Sequence, residues 1–181
     1  MAFAANAEDL QGPMPPGFRD AMRRLASSVM IVTSRDMAGQ PHGMVASSVI
    51  PVSMDPPSML VAVNRDAGLH AVLLRSRRFC VNLLSDHQHP LLAPFSQTAL
   101  RSQRFRSDDW CHAWSSDTEQ LPWLPEASAA IDCAVDLATE YGTHTLFVGR
   151  VLTVHCATTA NSDIAPLVWL AGQRAALATP G

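Results

Sequence analysis

Ile131-Asp132-Cys133-Ala134-Val135-Asp136-Leu137-Ala138 decides the fold. Apolar Ile131, Cys133, Val135 and Leu137 alternate with smaller or charged residues at a period of two, which predicts a strand with one face in a core and one face wetter. The turn Tyr141-Gly142-Thr143-His144 then leads into Thr145-Leu-Phe-Val-Gly-Arg-Val-Leu-Thr-Val-His155, rich in β-branched and aromatic residues, so the two runs read as a hairpin.

Further strands are predicted on both sides of that hairpin. Upstream, Val29 to Ser34 stops at the turn Asp36-Met-Ala-Gly39 and returns through Gly43 to Val49. Met59 to Val63 and Phe79 to Leu84 are strands separated by a helical pattern at Leu69, Val72 and Leu73. Pro51 and Pro56-Pro57 lack an N–H for a central ladder and are expected to lie in a loop. Downstream, Pro166 to Ala171 supplies a last short strand. Phe18, Met22, Leu25 and Ala26 share one face of a short helix that Ser27 and Ser28 end. Residues 96–128 show no sustained period and are expected to form a long excursion with some short helix. About six antiparallel strands with inserted helices predict a mainly β chain closed as a barrel, not a doubly wound sheet. The expected organisation is an arm at 1–17, one domain at 18–175 and a tail at 176–181.

Composition narrows the function classes. The 181 residues are 48% hydrophobic, enough for one self-sufficient core, and the formal charge of −3 provides no electrostatic footprint for nucleic acid or an anionic membrane. Cys80, Cys111, Cys133 and Cys156 form no C-x-x-C pair, which suits a reducing cytoplasm. The first residues carry no basic start with an apolar stretch, and no run approaches a bilayer span. Neither G-x-G-x-x-G nor a P-loop is present, and no serine lies in a G-x-S-x-G elbow. His87 and His89, or Cys111 and His112, are of metal-ligating type. An i, i+2 histidine pair converges only on a strand, however, and no metal is expected.

Five ordered motifs carry a resemblance. Phe18-Arg19 with Thr33, Gly43-Met-Val-Ala-Ser-Ser-Val-Ile-Pro-Val-Ser-Met-Asp-Pro-Pro57, Val63-Asn64-Arg65, Phe79-Cys-Val-Asn-Leu-Leu84 and Gly142-Thr-His-Thr-Leu-Phe-Val-Gly-Arg-Val151 stand in order between Phe18 and Gly172. Together they resemble the flavin reductase-like, FMN-binding split-barrel family. The resemblance implies an antiparallel split β-barrel that forms a homodimer and uses NADH or NADPH to reduce FAD or FMN. It also implies a partner oxygenase that receives the reduced flavin. A tight-FMN reductase of another acceptor and a non-enzymatic flavin or haem binder are the alternatives.

A flavin ring needs small side chains, hydroxyls and free N–H groups beside it, and Val45, Ala46, Ser47 and Ser48 supply that mixture, with Pro51 following. Asn64, Arg65, Asp66 and Ala67 lie where a strand ends and a helix opens, suited to a phosphate or ribityl chain. Asn82 interrupts an apolar strand beside Leu83, and its amide must find partners either on a flavin edge or on neighbouring backbone. The resemblance adds Phe95, Trp169 as a stacking aromatic, and His144 as a residue that positions the nicotinamide. His42, His70 and His155 read as structural. The arginines at 101, 104 and 106 read as a solvated loop or as phosphate contacts. Two departures stand out: Gly68 replaces a serine common in relatives and offers phosphate no hydroxyl, and Gln173 stands where relatives often carry tyrosine.

Overall fold

The computed structural model describes residues 12–112, 121–157 and 165–177. Its main sheet has seven antiparallel strands in the order β3-β2-β6-β7-β8-β5-β4. These are β2 (Met30–Arg35), β3 (Pro41–Ala46), β4 (Val49–Met54), β5 (Pro57–Asn64), β6 (Arg78–Leu83), β7 (Ala129–Tyr141) and β8 (His144–Cys156). A smaller sheet joins β1 (Ser27–Ser28), β9 (Val168–Leu170) and β10 (Gln173–Ala175). Ser27 and Ser28, expected to end a helix, instead pair with Trp169 and Val168.

The chain itself bends the main sheet into a barrel. The outermost strands β3 and β4 are joined only by Ser47-Ser48, so Ala46 and Val49 lie at most about 11 Å apart. In a flat seven-stranded sheet the edges would be roughly 29 Å apart. Curling is therefore obligatory, although no ladder joins β3 to β4 among the described residues. The split falls at Ser47-Ser48.

Inside the barrel lie Val32, Val61, Val63, Phe79, Val81 and Phe147. Phe79 and Gly149 meet so closely that a Cβ on Gly149 would sit 2.6 Å from Phe79 Cε1, so only glycine fits there. A second core forms where the excursion packs on the outside of the barrel, around Ile31, Leu84, Leu92, Phe95, Trp110 and Leu124. Covered on both sides, β2 and β6 are buried along nearly their whole length and do not alternate.

Three expectations change. Leu137 is 54% exposed, because an extra residue, Asp136, between the pairs Val135–Gly149 and Leu137–Val148 turns the following side chains over. Ala138, opposite Phe147, takes up the inward position. Pro51 lies within β4 and Pro57 opens β5, so only Pro56 of the three sits in the turn; Pro51 is tolerated because β4 is an edge strand, where the register shifts between Pro51 and Ser53, and Pro57 because it is the first residue of its strand. Helix α1 (Phe18–Arg23) forms, yet it buries none of its residues, so the predicted apolar face is uncovered within this chain.

The chain crosses one end of the barrel through α2 (His70–Ser76), between β5 and β6. After β6, the excursion begins with a 3-10 turn over Asp86–Leu92, the one-turn helix α3 (Ala93–Ser96) and a second 3-10 turn over Thr98–Gln103. Arg104 secures it, donating to the carbonyls of Pro94, Gly43 and Phe95. The later part, 113–120, lies outside the described residues.

Candidate active site

Where the sheet splits, a cleft of about 660 Å³ opens between the barrel, the excursion, the small sheet and the end of α1, which contributes Met22 and Arg23, with Leu25 just beyond it. Val45 and the exposed Ser47 form one wall, Ser96 and Gln97 a second, and Trp169 with His89 a third. The size falls within the range of small-molecule sites. Its walls are mostly apolar with a few hydroxyl and amide groups, the donor set that a flavin ring requires. Trp169 lies nearly parallel to His89, with centroids 6.1 Å apart and planes 11° apart, in an offset stack that orients the indole.

Ser48 is exposed beside Ser47, and its carbonyl accepts from the Ala62 N–H at 3.0 Å, which fixes the link against β5. Ala46 points into the barrel core and contributes no side chain to the cleft. Pro51 lies further along the edge strand and is exposed.

A second group of expected residues gathers at the end of β5. Asn64 pairs directly with His144 across the β5–β8 ladder. Its Oδ1 accepts from the Asp66 N–H at 2.8 Å, and its carbonyl accepts from the Ala67 N–H at 2.9 Å, so the side chain shapes a tight turn. The Arg65 N–H donates to the Thr143 carbonyl at 3.0 Å, and its guanidinium pairs with Glu140 at 3.3 Å. Both partners of that pair are exposed, so it contributes at most about 1 kcal/mol. His144 is half-buried, with Nδ1 2.9 Å from the Thr143 hydroxyl.

Three more expected residues turn inward. Asn82 is fully buried; Nδ2 donates to the Ile31 carbonyl at 3.0 Å and Oδ1 accepts from the Leu124 N–H at 2.8 Å. Of its two alternatives the backbone one is realised, and the amide is not free for a ligand. Leu83 packs against the barrel core. Phe95 is 5% exposed and edge-on to Phe105 at 5.1 Å, holding the excursion to β3 rather than facing the cleft.

Four further histidines have structural partners. His70 is buried, with Nε2 2.8 Å from the Thr145 hydroxyl, and His42 meets Asp36 at 3.1 Å. His155 lies edge-on to Trp123 at 4.7 Å. His112 takes the Arg35 guanidinium at 3.0 Å, while burial and that positive neighbour lower its pKa. Among the described residues no three His, Cys, Asp or Glu side chains converge on a metal position. No described helix is long and apolar enough to cross a membrane.

The sequence reading missed His89, Ser96 and Gln97 as cleft walls and the Arg174–Asp86 pair that ties β10 to the first 3-10 turn. Ser96 and Gln97 lie at the start of the patternless stretch 96–128 within the excursion, where periodicity offers no placement. Asp86 and Arg174 lie 88 residues apart, and no local signal joins them.

Residues 22–178 match the family model described as flavin reductase like domain. The chain is 36% identical over 165 residues to the reductase component of FADH(2)-dependent resorcinol hydroxylase of Rhizobium sp. strain MTP-10005, covering 91% of this chain and 88% of that one. It is 41% identical over 135 residues to a flavin reductase (NADPH) of Lentzea aerocolonigenes, covering 74% and 75%. Among solved structures, it is similar to Streptomyces globisporus C-1027 NADH:FAD oxidoreductase SgcE6 in complex with NAD and FAD fragments. There the TM-score is 0.76 at 26% identity, covering 93% of this chain and 98% of that one.

Proposed function

Because the chain belongs to the flavin reductase like domain family, we propose that it is an NAD(P)H:flavin oxidoreductase supplying reduced FAD or FMN to a partner oxygenase. The observation that carries this reading is the cleft at the split of the barrel, where Val45, Ser47 and Trp169 converge from strands far apart in sequence. A bound flavin accepts hydride directly from a reduced nicotinamide, which asks the protein for alignment and dryness instead of an acid or base.

Each part of the site has one task in that scheme. The hydroxyl of Ser47 and the backbone beside it hold the polar rim of the ring, while Val45 and Leu92 cover its apolar part. Trp169 closes one side and limits the entry of water. His144, held by Thr143 and opposite Asn64, positions the nicotinamide. The cleft opens to solvent and the flavin is exchangeable, as delivery to a second protein requires. We place the enzyme in the cytoplasm, with residues 18–175 as its domain, 1–17 as an N-terminal arm and 176–181 as a tail. Buried, unpaired Cys80 and Cys133 suit a reducing compartment.

A homodimer is part of this reading. Ile50, Leu60, Val148 and Leu137 line up across β4, β5, β8 and β7, facing away from the barrel, and Ile50 and Leu137 are more than half exposed. A contiguous apolar row of this kind on the outside of a sheet is the surface a second copy would cover. Leu137→Asp is expected to convert a dimer to a monomer in light scattering; a wild-type monomer would refute the dimer.

Steady-state oxidation of NADH and NADPH with added FAD or FMN tests the function. Oxidation that depends on added flavin supports the reading. Flavin binding without oxidation replaces it with a binding protein.

A further inference from the structure

The Asn64–Gly68 loop and the 3-10 turn Thr98–Gln103 meet at a single point. A Cβ built on Gly68 would lie 3.4 Å from Arg101 Nη2, so the guanidinium rests against the bare glycine. Arg101 is exposed, and among the described residues no group accepts a hydrogen bond from it or forms an ion pair with it. The neighbouring cation, Arg104, is spent on three carbonyls. Burial lowers the Arg104 pKa first, and the charge of Arg101 lowers it further, as two cations close together without a carboxylate must. Nearby Arg65 is already paired with Glu140.

The turn that carries Arg101 continues from the cleft wall. Gln97 lines the cleft, and four residues of 3-10 helix at about 2 Å rise place Arg101 roughly 8 Å beyond it. That span suits a molecule with a ring in the cleft and an anionic end at the Gly68 loop.

We propose that Arg101, seated on Gly68, binds the phosphate of the nucleotide whose ring occupies the cleft, and thereby sets the preference for phosphorylated over unphosphorylated ligand. The planar fork of arginine pairs two phosphate oxygens at once. The absence of a side chain at Gly68 lets the guanidinium lie flat against the loop with its remaining N–H groups turned to solvent, where a phosphate can reach them. The proposal rests on the flavin reductase reading for the identity of the ring. The short span selects the ribityl phosphate of a flavin, because two riboses and a pyrophosphate separate the 2′-phosphate of NADPH from its nicotinamide ring.

Fluorescence quenching of FMN and riboflavin titrated into the full chain tests this without turnover. The wild type is expected to bind FMN about tenfold more tightly than riboflavin, a gap worth about 1.4 kcal/mol. Arg101→Ala is expected to erase that gap by weakening FMN alone, with Arg101→Lys in between. If Arg101→Ala instead leaves the FMN-to-riboflavin ratio unchanged and weakens NADPH about tenfold relative to NADH in KM, the bound phosphate is that of the nicotinamide nucleotide and the proposal is overturned. A variant that moves neither ratio, or that weakens riboflavin as much as FMN, overturns it. Flavin binding with the Arg101 effect but no NAD(P)H oxidation would sink the reductase reading and leave the phosphate site standing. A wild type that binds no flavin overturns both.

Discussion

Replacing Asn82 with alanine removes the carboxamide that joins the excursion to the barrel. In the folded protein, the amide receives the Leu124 N–H at 2.8 Å and donates to the Ile31 carbonyl at 3.0 Å, with no solvent exposure. Alanine leaves the Leu124 donor buried without that acceptor, at about 1–3 kcal/mol, and weakens the satisfaction of the Ile31 carbonyl by about 1 kcal/mol. The expected loss is roughly 2–4 kcal/mol from a total of about 5–15 kcal/mol for a domain. Urea unfolding should show a lower midpoint at unchanged slope. Flavin affinity of the folded fraction should change little, since the amide does not reach the cleft. Asn82→Asp sharpens the test. It keeps an acceptor for Leu124 but sets a second oxygen against the Ile31 carbonyl, so the buried acid is stable only when protonated. Its folded pKa is therefore raised, and its stability is fullest below the ordinary aspartate value of about 3.9 and is lost as pH rises through the folded pKa. An Asn82→Ala protein within about 0.5 kcal/mol of wild type that has lost flavin binding would refute this reasoning.

Gly149→Ala forces a methyl to within 2.6 Å of Phe79 and 3.0 Å of the Cys133 Cβ; calorimetry should show a destabilisation of about 1–3 kcal/mol or more. Burial pushes the Cys133 thiol up to about 12 and raises Cys80 well above its ordinary value. A thiol reagent applied to the native protein should therefore spare both and label exposed Cys156 first; early loss of Cys80 would contradict the packing. The Arg174 guanidinium holds the Asp86 carboxyl below its usual value, with His89 and His87 adding to the effect. That pair contributes above the ordinary aspartate pKa and is lost as pH falls through the depressed one, so acid should release β10 before the barrel unfolds. Trp169 fluorescence is the readout, and Arg174→Gln should remove the acid-induced step.

The hairpin β7–β8 was legible because alternation and a glycine turn coincide over Ile131 to His155. The bulge at Asp136 was not, since one residue more on one strand is set by the partner strand and leaves no local mark. Pro51 misled for a related reason: a proline excludes a central ladder, but whether a strand is an edge depends on the whole topology. Among the candidate site residues, Ser47 and Trp169 line one cleft, whereas Phe95 and Asn82 are interior. An apolar or amide side chain in a motif carries no mark of whether it faces a ligand or the core. Arg101 against Gly68 joins positions 33 residues apart through a fold that no periodicity describes.

Mixing the purified chain with FMN or FAD under anaerobic conditions, adding NADH or NADPH, and following the loss of flavin absorbance measures the central claim directly. The account predicts rapid bleaching that requires protein, flavin and reduced nicotinamide together. Flavin that binds yet stays oxidised with both nucleotides would contradict it.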